Sequence, residues 1–499
     1  MTTEARSATR SIRTYGGWRR TRAMGLFGAG PGATVAVLGC VVVPLLIAAA
    51  DLRAGAIIAA PASAVAALTL ARVDGVSLGS IAQRRLRWTW GSARGYPTHR
   101  ASGVVEHPGA WSLPGVLANT RLLTVQDGAG TFGLVWDRRS GHLTATLRCA
   151  AASTWLVDGD DADGWVGNWH AWLASLGYLP MVRWVAVTVD TAPEPGTTLQ
   201  GAVLPRIRAD APADVQHLLR EIVGRSPAAA ADIETRVSIT FDPGASTQRR
   251  QELPDQVAEV TRQLAGLESA LSTCGVAVLG RVGAPRLAGA VRIAFDPATR
   301  GEVKRAMGGG DGGGDLLCWG DAGPVAADEA WDHYRHDSGI SVTWAWREAP
   351  RQQVTSGVLT RLLSPGRFAK RVTLVYRPLP AGEAARLLEA EVNASAFREA
   401  YRKAQKRDET ARDAADRERA HRAAQEEAEG AGVVLVSLYV TATVLDDDQL
   451  AEAVSDVEAR ADQSKIRLRR LYGGQSAGFA TTLPVGFCPV YAAGRGRSR

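Results

Sequence analysis

Arg236–Phe241 reads RVSITF and is followed, after a short polar stretch, by Leu253–Leu271, LPDQVAEVTRQLAGLESAL. In the first piece apolar and polar residues alternate with the period of two that marks a strand with one buried face. In the second, Leu253, Val257, Val260, Leu264, Leu267 and Leu271 follow one another in steps of four and three. That spacing predicts a helix with a single apolar stripe, which must be buried against a sheet or a partner helix. A strand at Val291–Phe295 is expected to close the unit.

The pattern repeats. Ser238-Ile239-Thr240-Phe241-Asp242-Pro243 has a short echo in Arg292-Ile293-Ala294-Phe295-Asp296-Pro297. A longer one begins with a strand at Val433–Val444, continues through the helix cap Asp446-Asp447-Asp448 and the apolar stripe Leu450, Val454 and Val457, and ends in a strand at Ile466–Leu471. Strand, helix and strand in both halves predict two related α+β units, residues 111–300 and 301–490.

Outward from these units, alternation between Gly115 and Leu147 predicts strands separated by turns at Asp127-Gly128 and Ser140-Gly141. A helix over Asp161–Leu176 carries Trp165, Trp169 and Trp172 on one stripe, read as a packing face and not a platform for bases. A strand is expected at Met181–Val189, a short amphipathic helix at Ala213–Val223, and strands around Trp344 and Trp346 and at Val372–Tyr376. Met307–Asp315, MGGGDGGGD, reads as a linker or loop between the halves. Residues 383–429 are almost all Ala, Glu, Arg, Lys, Asp and Gln. They predict one long solvated helix, about 70 Å if unbroken, with no sustained heptad seam.

Two apolar runs, Ala33–Ala50 and Ala54–Ala71, contain no charged residue and are separated by Asp51-Leu52-Arg53. They predict a transmembrane helical hairpin over residues 33–71; a buried soluble hairpin or a signal peptide cut after Ala50 are the alternatives. Arginines cluster before it (Arg6 to Arg22) and after it (Arg72 to Arg100), which places both termini in the cytoplasm by the positive-inside rule. Trp18, Trp88 and Trp90 lie among these arginines, where indoles often mark the headgroup zone and where ordinary packing residues are the equal alternative. The remaining segments read as a basic cytoplasmic leader (1–32), a basic juxtamembrane linker (72–110) and a basic tail (491–499). The formal charge of +7 owes much to the juxtamembrane arginines, so anionic lipid explains it more simply than direct nucleic acid binding.

Recognised chemistry is sparse. The five cysteines form no CxxC pair, and no GxxxxGK[ST], HExxH or GxSxG occurs. The glycine stretches Gly28–Gly32 and Gly308–Gly314 lack the lysine and hydroxyl of a phosphate loop. Asp328-Glu329-Ala330-Trp331-Asp332-His333-Tyr334-Arg335-His336 is the best metal-like cluster, with acids and imidazoles at helical spacing; an exposed helix is the favoured reading. No catalytic, cofactor-binding or metal residue is assigned, and no cofactor is expected.

The order of features resembles a known assembly. A basic leader with two spanning helices looks like the small PrgI-type membrane component of type IV secretion and conjugation machines. The remainder is similar to the N-terminal, non-catalytic domain of conjugation ATPases, through Trp155-Leu156-Val157-Asp158 to Trp172, the long charged helix before a strand, and the ending Gln475-Ser476-Ala477-Gly478-Phe479-Ala480-Thr481-Thr482-Leu483-Pro484-Val485-Gly486. The whole resembles actinobacterial integral membrane proteins found with such ATPases, and a rival resemblance is to the EccE-type component of type VII secretion. The resemblance implies a non-catalytic, membrane-anchored subunit with the motor ATPase on a separate chain, other channel subunits as partners, and room for homo-oligomerisation. A membrane-surface enzyme using the Asp328–His336 cluster is the alternative from another class.

Overall fold

The computed structural model describes residues 14–16, 18, 31–73, 76–101, 111–151, 157–193, 203–225, 231–245, 252–307, 317–350, 352–404, 411–428 and 430–495. The glycine stretch 308–314, most of the leader, Trp155 and Leu156, and the last residues of the tail lie outside them. Two compact units emerge. One comprises Met1–Gly17, Thr98–Ala384 and Glu427–Arg499; the other comprises Trp18–Pro97 and Ala385–Glu426.

The second unit is mainly helical. α1 (Pro31–Ala50) and α2 (Leu52–Leu70) meet at Asp51, whose carboxylate accepts from Arg53 N and caps α2, and the two helices lie against each other. Among the described residues, Leu52–Leu70 is the one helix with the length and apolarity of a membrane crossing; the apolar part of α1, Thr34–Ala50, is shorter. The strands β1 (Arg72–Val73) and β2 (Val76–Ser77) then lead into α3 (Leu78–Ala93), where Arg94 lies 3.6 Å over the Trp90 ring. The single long helix expected over 383–429 is replaced by α10 (Ala381–Ala404) and α11 (Ala411–Ala428). Arg417 lies 3.0 Å from Glu399. In one continuous helix those residues would be about 27 Å apart, so the chain doubles back. With few large apolar side chains beyond Tyr401, folding back secures charge pairs that an isolated helix would lack.

The first unit is built on one antiparallel sheet of 13 strands. Its first half contributes β4 (Thr120–Asp127), β5 (Gly130–Asp137), β6 (Leu143–Ala151), β7 (Val182–Pro193), β8 (Ala231–Phe241) and β9 (Val276–Arg281). The second contributes β10 (Ala326–Glu329), β11 (Tyr334–His336), β12 (Gly339–Glu348), β13 (Ala369–Pro378), β14 (Val434–Val444) and β15 (Arg467–Arg470). Strand β3 (Thr98–Arg100) adds to one edge. The order β4-β5-β6-β8-β7-β13-β14-β12-β11-β10-β3, with β9 on β6 and β15 on β12, is a palindrome apart from β3. The stretches 111–300 and 301–490 therefore share one sheet.

Register makes the two-fold relation explicit. Leu143 pairs with Phe241 as Ile340 pairs with Val444. At the seam Val185 pairs with Tyr376, Thr188 with Thr373, and Thr191 with Lys370, so the pseudo-dyad passes between Thr188 and Thr373. The helices follow suit. α4 (Gly159–Ser175) and α6 (Leu253–Leu271) cover one face of the first half, as α9 (Thr360–Leu363) and α12 (Leu450–Gln463) cover that face of the second. α5 (Ala213–Arg225) lies between β7 and β8 in sequence. The stripe expected on α6 is buried at Val260, Leu264, Leu267 and Leu271, and the stacked pair Trp169–Trp172 packs on the same core.

On the opposite face lie α7 (Ala284–Phe295), α8 (Arg300–Met307), α13 (Gln475–Thr481) and α14 (Pro489–Arg495). Two expectations are corrected. Val291–Phe295 is the end of helix α7, not a strand: Pro285 opens it, and Leu287, Val291 and Phe295 repeat at steps of four. Asp328–His336 is a hairpin of β10 and β11, not a helix, because alternation buries Tyr334 and His336 against the sheet while Arg335 faces solvent. The two helical runs cross over between halves. The α7 carbonyl of Phe295 meets His336 in the second half, while the segment after α13 reaches Thr144 and Thr240 in the first.

Candidate functional site

On this opposite face the polar positions of the strands are not solvated; they are buried beneath α7, α8 and the segment Gln475–Tyr491. Thr240, Thr343, Thr373 and Thr441 are wholly buried. Buried hydroxyls cost free energy unless paired, and here they pair across strands in two equivalent sets. Thr144–Thr240 (3.0 Å) and Thr146–Ser238 (2.9 Å) in one half match Ser341–Thr443 (2.8 Å) and Thr343–Thr441 (3.0 Å) in the other. Thr188–Thr373 (2.9 Å) lies on the dyad itself.

Symmetry breaks on either side of that pair. On one side Asp190 faces Arg371 across the seam, and Arg236 Nη2 donates to Asp190 Oδ2 at 3.0 Å. Helix α8 brings Arg300, which donates to Asp190 (3.3 Å) and Asp232 (2.6 Å), and Lys304, which also pairs with Asp232. At the related position on the other side, Ala186 and Val375 form an apolar patch with Trp184, Tyr439 and Cys488. Burial by itself would raise the Asp190 carboxyl, but Arg236, Arg300 and Arg371 outweigh it and hold it down at about 2. Burial pulls the Arg371 guanidinium down to about 10, with Asp190 opposing and Arg236 and Arg300 adding to the fall. Its Nε donates to Thr482 Oγ1 at 3.2 Å, its Cζ lies 4.8 Å from the Phe479 ring centroid, and Nη2 has no partner among the described residues.

The Gln475–Tyr491 segment is tied to this face by polar contacts. Gln475 Oε1 accepts from Thr343 N at 2.7 Å and its Nε2 donates to Thr343 O at 3.4 Å, so a side chain completes the strand like a short partner strand. Glu329 accepts from Ser476 N and Oγ, at 3.1 and 2.6 Å. In Leu483-Pro484-Val485-Gly486, the glycine has φ +70° and passes so close to the Thr144 and Thr240 hydroxyls that a Cβ would collide with both.

Of the metal-like cluster, the fold brings no ligand set together; no grouping of three or more His, Cys, Asp or Glu with metal-binding geometry occurs among the described residues. Both His336 nitrogens are committed: Nδ1 lies 2.7 Å from Phe295 O and Nε2 2.8 Å from Ser341 Oγ. With Nδ1–H donating to the carbonyl, Nε2 accepts from the serine hydroxyl, which assigns the neutral tautomer. Burial pulls this imidazole down to about 4; the Phe295 carbonyl opposes the fall, and Arg371 adds to it. Burial likewise pushes Cys149 up to about 11 and raises Cys488, so neither thiol is an activated nucleophile.

A pocket of ≈ 340 Å³ opens at the outer end of the first half, between the β4 start, the β5–β6 turn and Val485–Ala492. His142 stands 5.2 Å from Trp184 and 5.1 Å from Tyr491 by ring centroids. Behind it Asp242 accepts two hydrogen bonds from Arg183 (3.0 and 2.8 Å) and lies 3.7 Å from His142 Nε2, beyond hydrogen-bond reach.

Sequence reading singled out none of Asp190, Arg236, Arg371 or His142. Charged residues at the polar positions of otherwise apolar strands, as in Lys370-Arg371-Val372-Thr373-Leu374, were the available signal. Fold and site together define a mixed α/β protein whose internally duplicated sheet encloses a polar, charge-paired face. No protein-family model matches the chain, and comparison with curated proteins gives no match.

Proposed function

We propose that the protein is a non-catalytic, membrane-anchored structural subunit of a translocation machine of the conjugation or type IV secretion kind, docking a separate motor ATPase. One observation carries the anchor. Helices α1 and α2 leave Val35, Leu38, Val41, Leu45, Leu46, Leu52 and Ile57 exposed, apolar side chains that lipid accommodates better than water. Arginines before Ala33 and after Ala71 favour the anionic inner leaflet on both sides, which puts both termini in the cytoplasm and makes the pair a two-span hairpin. The ion pairs that Asp190 and Asp232 make with Arg236, Arg300 and Lys304 on the sheet's polar face support a scaffold in preference to an active site.

The test has two arms. A cysteine introduced at Arg53 should be labelled from outside intact cells while one at Thr2 is protected. Mild-detergent extraction should then recover a phosphate-loop ATPase with the protein. External labelling of Thr2 removes the topology, and recovery without any ATPase removes the docking role.

A further inference from the structure

The pseudo-dyad fails at one edge of the sheet. Asp137 pairs with Thr120 on β4 as His336 pairs with Ala327 on β10, so Arg121 and Leu122 occupy the places of Asp328 and Glu329. The outer edge of β10 is filled. β3 runs antiparallel along it, with Asp328 opposite Thr98 and Ala327 opposite His99, and Arg100 Nη2 donates to Asp328 Oδ2 at 2.8 Å. The outer edge of β4 carries no strand among the described residues; β5 is its one partner. The charge there is reversed, since the exposed Arg121 stands where β10 has Asp328.

Beside this edge is the pocket, whose lining includes Asn119, Thr120 and Arg139 together with His142, Trp184 and Tyr491. Its inner wall is aromatic. His142 and Trp184 are 4% and 2% exposed, His142 Nε2 is turned to Asp242 at 3.7 Å, and Trp184 Nε1 has no hydrogen-bond partner among the described residues. An unpaired sheet edge offers a ladder of backbone donors and acceptors to an extended chain, and pockets beside it select side chains.

We propose that the outer edge of β4 at Asn119–Leu122 takes up an extended acidic segment of a partner polypeptide as an antiparallel strand. A carboxylate of that segment pairs with Arg121, as Arg100 pairs with Asp328 in the other half, and a neighbouring side chain enters the pocket. The template is internal: the second half shows the same edge already occupied by a strand of complementary charge. This surface does not depend on the identity of the machine, nor on whether the motor is the partner.

The probes are two fluorescent peptides with the sequence Tyr96–Gly103, one unchanged and one carrying Arg100→Glu, titrated onto the full chain in detergent and followed by anisotropy. The Arg100→Glu peptide should bind at least about ten-fold more tightly than the unchanged one, a difference of about 1.4 kcal/mol. Arg121→Glu in the protein should reverse the preference with no loss of melting temperature, since Arg121 is exposed. Equal binding of both peptides, binding of neither at about 1 mM, or a preference that survives Arg121→Glu overturns the proposal. So does a dimer that dissociates on Arg121→Glu, because the occupant of the edge would then be a second copy of this chain.

Discussion

Acidification from pH 7 to pH 4 should strip about 3 kcal/mol from the stability of the sheet unit through one side chain. His336 is fully buried and neutral, donating to Phe295 O and accepting from Ser341. A proton on Nε2 would force the Ser341 hydroxyl to turn from the imidazole and donate to Thr443 in place of accepting from it, and would place a buried cation near Arg371. The folded imidazole therefore sits at about 4 against about 6.5 in an unfolded chain. Because the folded value is depressed, the unfolded chain binds the extra proton. Stability is complete above pH 6.5 and declines by about 1.4 kcal/mol per pH unit as the pH falls toward 4. Asp190 and Asp242, both held at about 2, keep their contributions until the pH drops below about 4, so they leave this window clear. Urea unfolding followed by tryptophan fluorescence at pH 7.5, 6, 5 and 4.5 measures the slope, and His336→Asn, less stable at pH 7.5, should flatten it. A wild-type stability that is level between pH 6.5 and 4.5, or an unchanged slope in His336→Asn, would refute the buried neutral imidazole.

Three further outcomes are expected. Asp190→Asn leaves Arg236, Arg300 and Arg371 without their shared carboxylate and should cost about 3–5 kcal/mol in urea unfolding; adding Arg371→Met should recover at least about 1 kcal/mol, and additive losses would show that the charges are not coupled. Thr188→Val strands the buried Thr373 hydroxyl and should cost about 1–3 kcal/mol, whereas the double variant Thr188→Val with Thr373→Val should cost less than the sum of the singles. Gly486→Ala meets both a left-handed backbone and the Thr144 and Thr240 hydroxyls, so it should destabilise by at least about 2 kcal/mol; a neutral effect would mean the segment is not seated there.

Much of the fold was legible from periodicity alone. The α6 stripe, the strands from Thr120 to Ala151 and the repeat beginning at Val433 follow from side-chain spacing that burial then rewards. The two FDP echoes show the limit: Ser238–Phe241 is strand and Arg292–Phe295 is helix, because each hexamer takes the period of its longer surroundings. Alternation also says which residues share a face without saying whether that face meets water. Thr240, Thr373 and Thr441 alternate with apolar neighbours and are nonetheless buried, because helices distant in sequence cover them. The ionic centre was hidden for the same reason, since Asp190, Arg300 and Arg371 are brought together by the duplication. For the long charged stretch, composition fixed helicity but not the reversal shown by Arg417 and Glu399.

The exchange of covering segments between the halves sets the order in which the protein can be finished on the ribosome. Thr144 and Thr240 are made early, yet Gly486, which closes over them, follows Thr240 by about 250 residues. At about 5–20 residues per second, the first half waits on the order of tens of seconds with its hydroxyl face uncovered. Native closure thus waits for the second half to be made, and a nascent chain stalled before Gln475 would carry both halves of the sheet without the strap that joins them.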